Sequence, residues 1–291
     1  MTATLRWLLN ELFDYAGMFP PAQLPLAEAL QKYREYRRSA DAWMLGGFVC
    51  PLQELSNLGR SDEAIPVCVV LPSAASQEEF QAAVDRASKA LGEYLKRGPV
   101  RSVELRVSPE NFDRWWQSAK QAIPADVSIY VEAPAGESLE EQLLRPLAQS
   151  GQKVGFKLRC GGATAAAVPT SPQVVQVLAA CHRQKIPLKL TAGLHHPFRC
   201  HDPAICGESH GFLNMLLADA LLREGKITEA EADALLHDGN AEHFRFDDEG
   251  CGWQSRFVSF SAMQRAGRGI VSIGSCSFDE PRDDLRKLGW L

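Results

Sequence analysis

No stretch of this chain approaches the ~18 consecutive apolar residues of a membrane-spanning helix. The opening residues, MTATLRWLLNELFDYAG, carry acids where a secretory signal needs an unbroken apolar core. The expectation is a cytosolic protein with no membrane partner. Long basic runs are also missing, and the formal net charge is −5, so nothing is available to neutralise a phosphate backbone and nucleic acid is not expected as a partner. Internal repeats, linkers and low-complexity tracts are absent. So is a G-x-G-x-x-G turn after the first strand, which argues against an open dinucleotide-binding sheet.

What is present describes an ordinary globular protein: 291 residues, 45% hydrophobic and 23% charged. That length fits two domains or one (β/α)8 barrel of roughly 250 residues with about 40 left over. Short apolar runs alternate with amphipathic ones, the pattern of a parallel α/β sheet. The strands are expected near Leu12 to Ala16, Met44 to Cys50, Pro66 to Leu71, Ser102 to Val107, Ser128 to Glu132, Val154 to Leu158, Leu188 to Ala192 and Ile270 to Gly274. Helix starts are marked by capping-box spacings at Ser76/Glu79, Ser138/Glu141 and Thr228/Glu231. Ser108 and Ser171, each followed by proline, are further expected caps. Eight such units make a single (β/α)8 TIM barrel over residues 1–291, with a helical and hairpin insertion at about 194–268 serving as a lid or interface over the mouth. The apolar helix after Gly211 is either core or a homo-oligomer contact.

The eight cysteines could form a disulfide set, but several lie inside apolar patterns and are expected to be free and buried. Three of them, Cys200, Cys206 and Cys251, fall in the insertion, where any metal or redox role of the thiols would reside.

Side chains alternate across a strand, so residues two apart share a face. Val103, Leu105 and Val107 should meet the helices, which leaves Glu104 and Arg106 inside the barrel. The same division puts Tyr130 and Glu132, Lys157 and Arg159, and Lys189 and Thr191 inside. An inert barrel would fill this space with Val, Ile and Leu. Charged groups gathered in a cleft mark a functional site, although a structural ion-pair network would also account for them. Four cations against Glu104 and Glu132 leave a positive surplus, which implies a small anionic substrate, a carboxylate or a phosphate. Neighbouring cations should depress a lysine's pKa and keep a neutral amine available to attack a carbonyl.

Two lysine motifs carry a resemblance. The run Lys157, Leu158, Arg159, Cys160, Gly161, Gly162 and the run Lys189, Leu190, Thr191, Ala192, Gly193 each place a glycine four residues after a lysine. They resemble the strand-six and strand-seven motifs of deoxyribose-phosphate aldolase and related class I aldolases. Ser272 to Ser277, containing Gly274 and Ser275, is similar to that family's small-residue phosphate turn. The resemblance implies Lys157 as a Schiff-base nucleophile and Lys189 as the neighbour that lowers its pKa. It further implies Glu104, or Glu132 through a water, as proton shuttle, and an aspartate near the first strand, matched by Asp14. No cofactor is required. Arg159 replaces a small polar residue of the family, and Leu194 to Arg199 replaces its glycine-rich turn, so the substrate stays open.

A second constellation is His195, His196, Cys200, His201, Cys206 and His210. It matches no zinc signature, and His195 and His196 are read as substrate-binding or acid/base groups of a mouth loop. The alternative functions are a metal-dependent isomerase, hydratase or hydrolase, using His195, His196 and His210 with the glutamates around zinc or another divalent ion, and a non-catalytic barrel that binds an anionic metabolite. Asp14 and Tyr15 either line the mouth or form a capped turn with a core aromatic. Of Trp115 and Trp116, one is expected in the core and the other at the surface.

Overall fold

In the computed structural model, which describes residues 1–58, 64–136 and 138–291, helix α1 (Ala3–Leu9) precedes strand β1 (Phe13–Tyr15) and α2 (Leu26–Arg37). The chain continues through β2 (Leu45–Pro51), α3 (Leu55–Leu58), β3 (Val67–Val70), α4 (Gln77–Tyr94), β4 (Val100–Arg106), α5 (Phe112–Ala122), β5 (Ser128–Glu132), α6 (Arg145–Ala148), β6 (Val154–Arg159), α7 (Ser171–Gln184) and β7 (Leu188–Thr191). After β7 come a hairpin, β8 (Cys200–Asp202) and β9 (Gly207–Ser209), and two helices, α8 (Phe212–Arg223) and α9 (Glu229–His237). An antiparallel sheet of β10 (Phe244–Phe246), β11 (Gly250–Trp253) and β12 (Arg256–Ser259) follows, then α10 (Phe260–Ala266), β13 (Ile270–Ser275) and α11 (Asp279–Lys287).

Among the described residues, β1, β2 through β7 and β13 close into a parallel barrel in the order β1-β13-β7-β6-β5-β4-β3-β2. This is a (β/α)8 TIM barrel, as the alternation of the sequence implies. The period-two division is also realised. Val103, Leu105, Ile129, Val131, Phe156, Leu158, Leu188 and Leu190 are buried in the layer between strands and helices. The amphipathic α4 packs Phe80, Val84, Ala87 and Leu91 into the same layer.

Several local expectations change. Thr228 forms its capping box with Glu231, and Ser76 caps α4. The helix after β5, in contrast, opens as a π-helical turn over Glu140–Leu144 with no side-chain cap, and Glu141 pairs with Arg145 instead of Ser138. Thr170, not Ser171, caps α7, through a box with Gln173, because the chain is already helical at Ser171. Ser108 gives no cap bond and accepts from the Asn111 side chain. Both tryptophans are buried, Trp115 stacked on Phe80 and Trp116 on Phe112, because α5 lies in the groove beside α4 with one face broad enough for two indoles. Tyr15 turns outward into a cluster with Tyr33, Tyr36 and Phe48, so it does not line the mouth.

The insertion divides into two parts. Helix α8 is the barrel's own layer helix, buried along most of its length and covered by α9 and the β10–β12 sheet. This sheet and α10 lie beside α1, where Trp7 meets Phe260 edge-on and Arg268 bonds the Leu8 and Asn10 carbonyls. Since α1 enters the barrel from the amino-terminal ends of the strands, most of the insertion is not a lid. Among the described residues of the insertion, His195 in the loop after β7 and the short β8–β9 hairpin, through Asp202, Ala204 and Ile205, reach the mouth. All eight cysteines are free.

Candidate active site

The barrel mouth holds a cavity of about 530 Å³, a size suited to a small metabolite. Its floor follows from the strand register. Glu132 pairs laterally with Lys157, Lys157 with Lys189, and Arg159 with Thr191. Side chains of one orientation on β4, β5, β6 and β7 therefore converge at nearly one level.

Lys157 stands between two carboxylates, with its Nζ 2.8 Å from Glu104 Oε2 and 3.0 Å from Glu132 Oε2. Lys189 lies deeper, only 1% exposed, 2.5 Å from Asp14 Oδ2 and 2.7 Å from Glu104 Oε1. The second contact has the distance of an ion pair without hydrogen-bond alignment. Asp14 is fixed in turn by the Gly47 N–H, 2.7 Å from its Oδ1. Glu104 thus bridges both lysines, and the ring of Tyr130 lies 5.9 Å from the Lys189 ammonium.

These contacts overturn two expectations. Three carboxylates surround two ammonium groups, so the floor has no positive surplus. Lys189 also does not depress Lys157. Burial opposes the charge on Lys157, but Glu104 and Glu132 outweigh burial and hold the ammonium above its ordinary value. The same balance, with Asp14 and Glu104 as partners, raises Lys189 well above the ordinary amine value. Burial likewise opposes the charge on Glu104, and the two lysines overcome it and hold the carboxyl down at about 2. Both amines rest as ammonium ions.

The cations expected inside at Arg106 and Arg159 stand at the rim. Arg106 has a side chain 60% exposed and only a loose contact, 3.9 Å, with Glu132. Arg159 is exposed and donates from Nε to the Gly161 carbonyl at 2.9 Å. Both line the cavity, with Thr191, His195 and Gly274.

Other expected site residues are elsewhere. Asp14 is beneath the cavity as the partner of Lys189 and does not line it. Ser275 is buried and donates to the Ser277 carbonyl, closing its own turn. His196 points away to Asp284 on α11, 2.6 Å from its Nδ1, and is not a mouth residue. His210 is buried with Nε2 2.8 Å from the Pro169 carbonyl. His195, His196 and His210 therefore each take a separate partner. Among the described residues no group of three or more His, Cys, Asp or Glu side chains is placed to hold a metal ion.

Sequence reasoning missed the opposite wall. Ala16, Phe19, Val49 and Val70 line the cavity, and Ala16 and Val49 pack with Cys68 into a small apolar cluster on the β1–β3 side. The inward period-two positions of β2 and β3 carried the signal, but with no charge they read like ordinary core. The cavity is thus charged on the β4–β7 side and apolar on the β1–β3 side.

The paired glycines acquire a physical meaning. A Cβ on Gly161 would lie 2.8 Å from the Cα of Gly193, so the loops leaving β6 and β7 touch backbone to backbone. Ala192 and Gly193 both adopt the left-handed conformation there, at φ 63 and 71. Gly161→Ala is expected to push these loops apart and destabilise the protein by about 1–3 kcal/mol, which thermal unfolding would register as a lowered Tm.

No protein-family model matches the chain, and no curated protein matches it.

Proposed function

We propose that this barrel is a class I, Schiff-base-forming lyase of the aldolase type, acting on a small anionic carbonyl compound. The observation that carries the proposal is the Lys157 amine on the floor of an open cavity, with two carboxylates at 2.8 and 3.0 Å to exchange protons with it. Of the two buried lysines, only Lys157 combines cavity access with a carboxylate, Glu132, that itself lines the cavity and is not shared with Lys189.

The resting ammonium must lose a proton before it can attack a carbonyl. Transfer from Lys157 to Glu132 gives a neutral amine and a carboxylic acid without changing the charge of the floor. The amine adds to the carbonyl carbon, and the acid returns its proton as the carbinolamine loses water. The resulting iminium accepts the electron pair of the breaking carbon–carbon bond. Glu104 is poorly suited to this traffic, since a carboxyl held at about 2 remains ionised. Its part, with Lys189 and Asp14 behind it, is to fix the Lys157 amine in place. The shuttle is therefore assigned to Glu132, and Lys189 to positioning rather than to lowering the nucleophile's pKa.

Arg106 and Arg159 at the rim would receive the anionic group, and the apolar wall the hydrocarbon part of the substrate. Arg159→Ala is expected to raise KM for an anionic substrate about tenfold, with little change in kcat, the signature of lost uniform binding.

An enamine intermediate exchanges the α-proton of its carbonyl substrate with solvent. Small keto acids and phosphorylated ketones and aldehydes incubated with the protein in D2O should include at least one whose α-proton exchanges, by NMR, unaffected by chelators. Exchange that stops with a chelator and returns with zinc would replace this reading by a metal-dependent one. Tight anion binding with no exchange in the whole panel would favour a binding protein.

A further inference from the structure

A second reactive group faces the same cavity from the β13 side. Cys276, just after β13, and His195, in the loop after β7, both line the cavity, and Cys276 Sγ is 3.7 Å from His195 Nε2. On the other side of the imidazole, Nδ1 is 2.8 Å from Glu280 Oε2 on α11, an ionic contact off the hydrogen-bond line. Thiol, imidazole and carboxylate thus stand in the order of a nucleophile, its base and the group that orients the base. Of the insertion cysteines, where a thiol role was expected, Cys251 packs on Met263 in the core, and Cys206 Sγ lies 3.6 Å from the Pro203 carbonyl.

We propose that Cys276, His195 and Glu280 form a covalent capture site for aldehydes, in which the Cys276 thiol adds to the carbonyl carbon to give a thiohemiacetal. As the S–C bond forms, the thiol proton passes to His195 Nε2 and the carbonyl π pair moves to oxygen. The imidazolium, held by Glu280, then returns that proton to the alkoxide. No electrons are gained or lost, and the reverse steps release the aldehyde. The base is needed because burial, with the Glu280 charge adding to it, pushes the thiol up to about 11. The backbone amides of Ala22 and Cys276 oppose that rise and favour negative charge on the sulfur as the proton leaves. The step uses no part of the Lys157 cluster and stands whether or not the barrel is a lyase.

The test is alkylation of the intact protein by iodoacetamide near neutral pH, mapped by peptide mass spectrometry. Cys206, which is exposed, is the internal reference. His195→Gln should lower the Cys276 rate about tenfold and leave that of Cys206 unchanged. The buried Cys50, Cys68, Cys160, Cys181 and Cys251 report unfolding of a variant by becoming labelled, and protection of the wild type by an aldehyde needs no variant. Glycolaldehyde should protect Cys276 reversibly, and should still do so in Lys157→Met. A Cys276 rate unchanged in folded His195→Gln, no protection of the wild type by glycolaldehyde, or protection that vanishes in folded Lys157→Met would each overturn the proposal.

Discussion

Lys157→Met is expected to reduce any carbonyl lyase or α-proton exchange activity by about 10³-fold or more, because it removes the atom that becomes bonded to the substrate. The substitution is also informative about rival readings. In a metal-dependent enzyme or a binding protein the same side chain is a positive charge on the cavity floor, and its loss would weaken affinity while leaving the chemistry of other groups intact. Comparing kcat with KM separates the two cases. Stability should fall as well, since Glu104 and Glu132 lose a partner 2.8 and 3.0 Å away, so activity must be measured where the variant remains folded. Lys157→Arg preserves the charge and cannot form the imine, and its expected activity is as low as that of Lys157→Met.

The second large effect is on stability. Lys189→Met leaves Asp14 and Glu104, each 2% exposed, without their shared cation. Breaking a buried pair by removing one partner strands the other charge in a medium that solvates it poorly, at a cost of about 3–5 kcal/mol. Urea unfolding at neutral pH should show this loss. Its pH dependence has a definite sign. In the wild type, Glu104 is held below its ordinary value, so its contribution is present above the usual carboxylate range and disappears as pH falls from about 4.5 toward about 2. Lys189 is held above its ordinary value, so its contribution is present below 10.5 and is lost as pH rises through the higher native value. In the variant Glu104 keeps Lys157 but loses its second cation, so its carboxyl is held down less strongly. The deficit relative to wild type should therefore be widest near neutral pH and narrow as acid is added. Replacing Asp14 by Asn in the same variant removes the stranded charge and should recover part of the loss.

Much of this site could be read from residue spacing alone. Glu104, Glu132, Lys157 and Lys189 sit on strands whose apolar partners alternate cleanly, and a period of two leaves no choice of face once the helices claim Val103, Val131, Leu158 and Leu190. What spacing does not encode is depth and distance across the barrel. Asp14 lies on a three-residue strand within a run that reads equally as helix, and its partner Lys189 is 175 residues away. Without that contact the floor reads as cationic, and the shift expected for Lys157 has the wrong sign. Arg106 and Arg159 obey the same alternation, but each is the last residue of its strand, so a long side chain there reaches solvent instead of the interior.

The histidine loop failed for a related reason. His195 and His196 are adjacent in sequence and the chain sends them opposite ways, one to Cys276 and Glu280 at the cavity, the other to Asp284. Proximity in sequence said nothing about a shared site. The insertion, too, was assigned to the mouth from its position before the last strand. Its helix α10 is instead held against α1 by contacts such as Trp7 with Phe260, a pairing between distant parts of the chain that no local pattern announces.

The central claim is that Lys157 forms a covalent imine with a carbonyl substrate. Borohydride reduction in the presence of the compound that undergoes α-proton exchange, followed by peptide mass spectrometry, tests it most directly. One stable adduct is expected, on Lys157, with Lys189 unmodified because it is buried between Asp14 and Glu104. An exchanging compound that leaves no adduct on any lysine, or one that is trapped on Lys189, would contradict it.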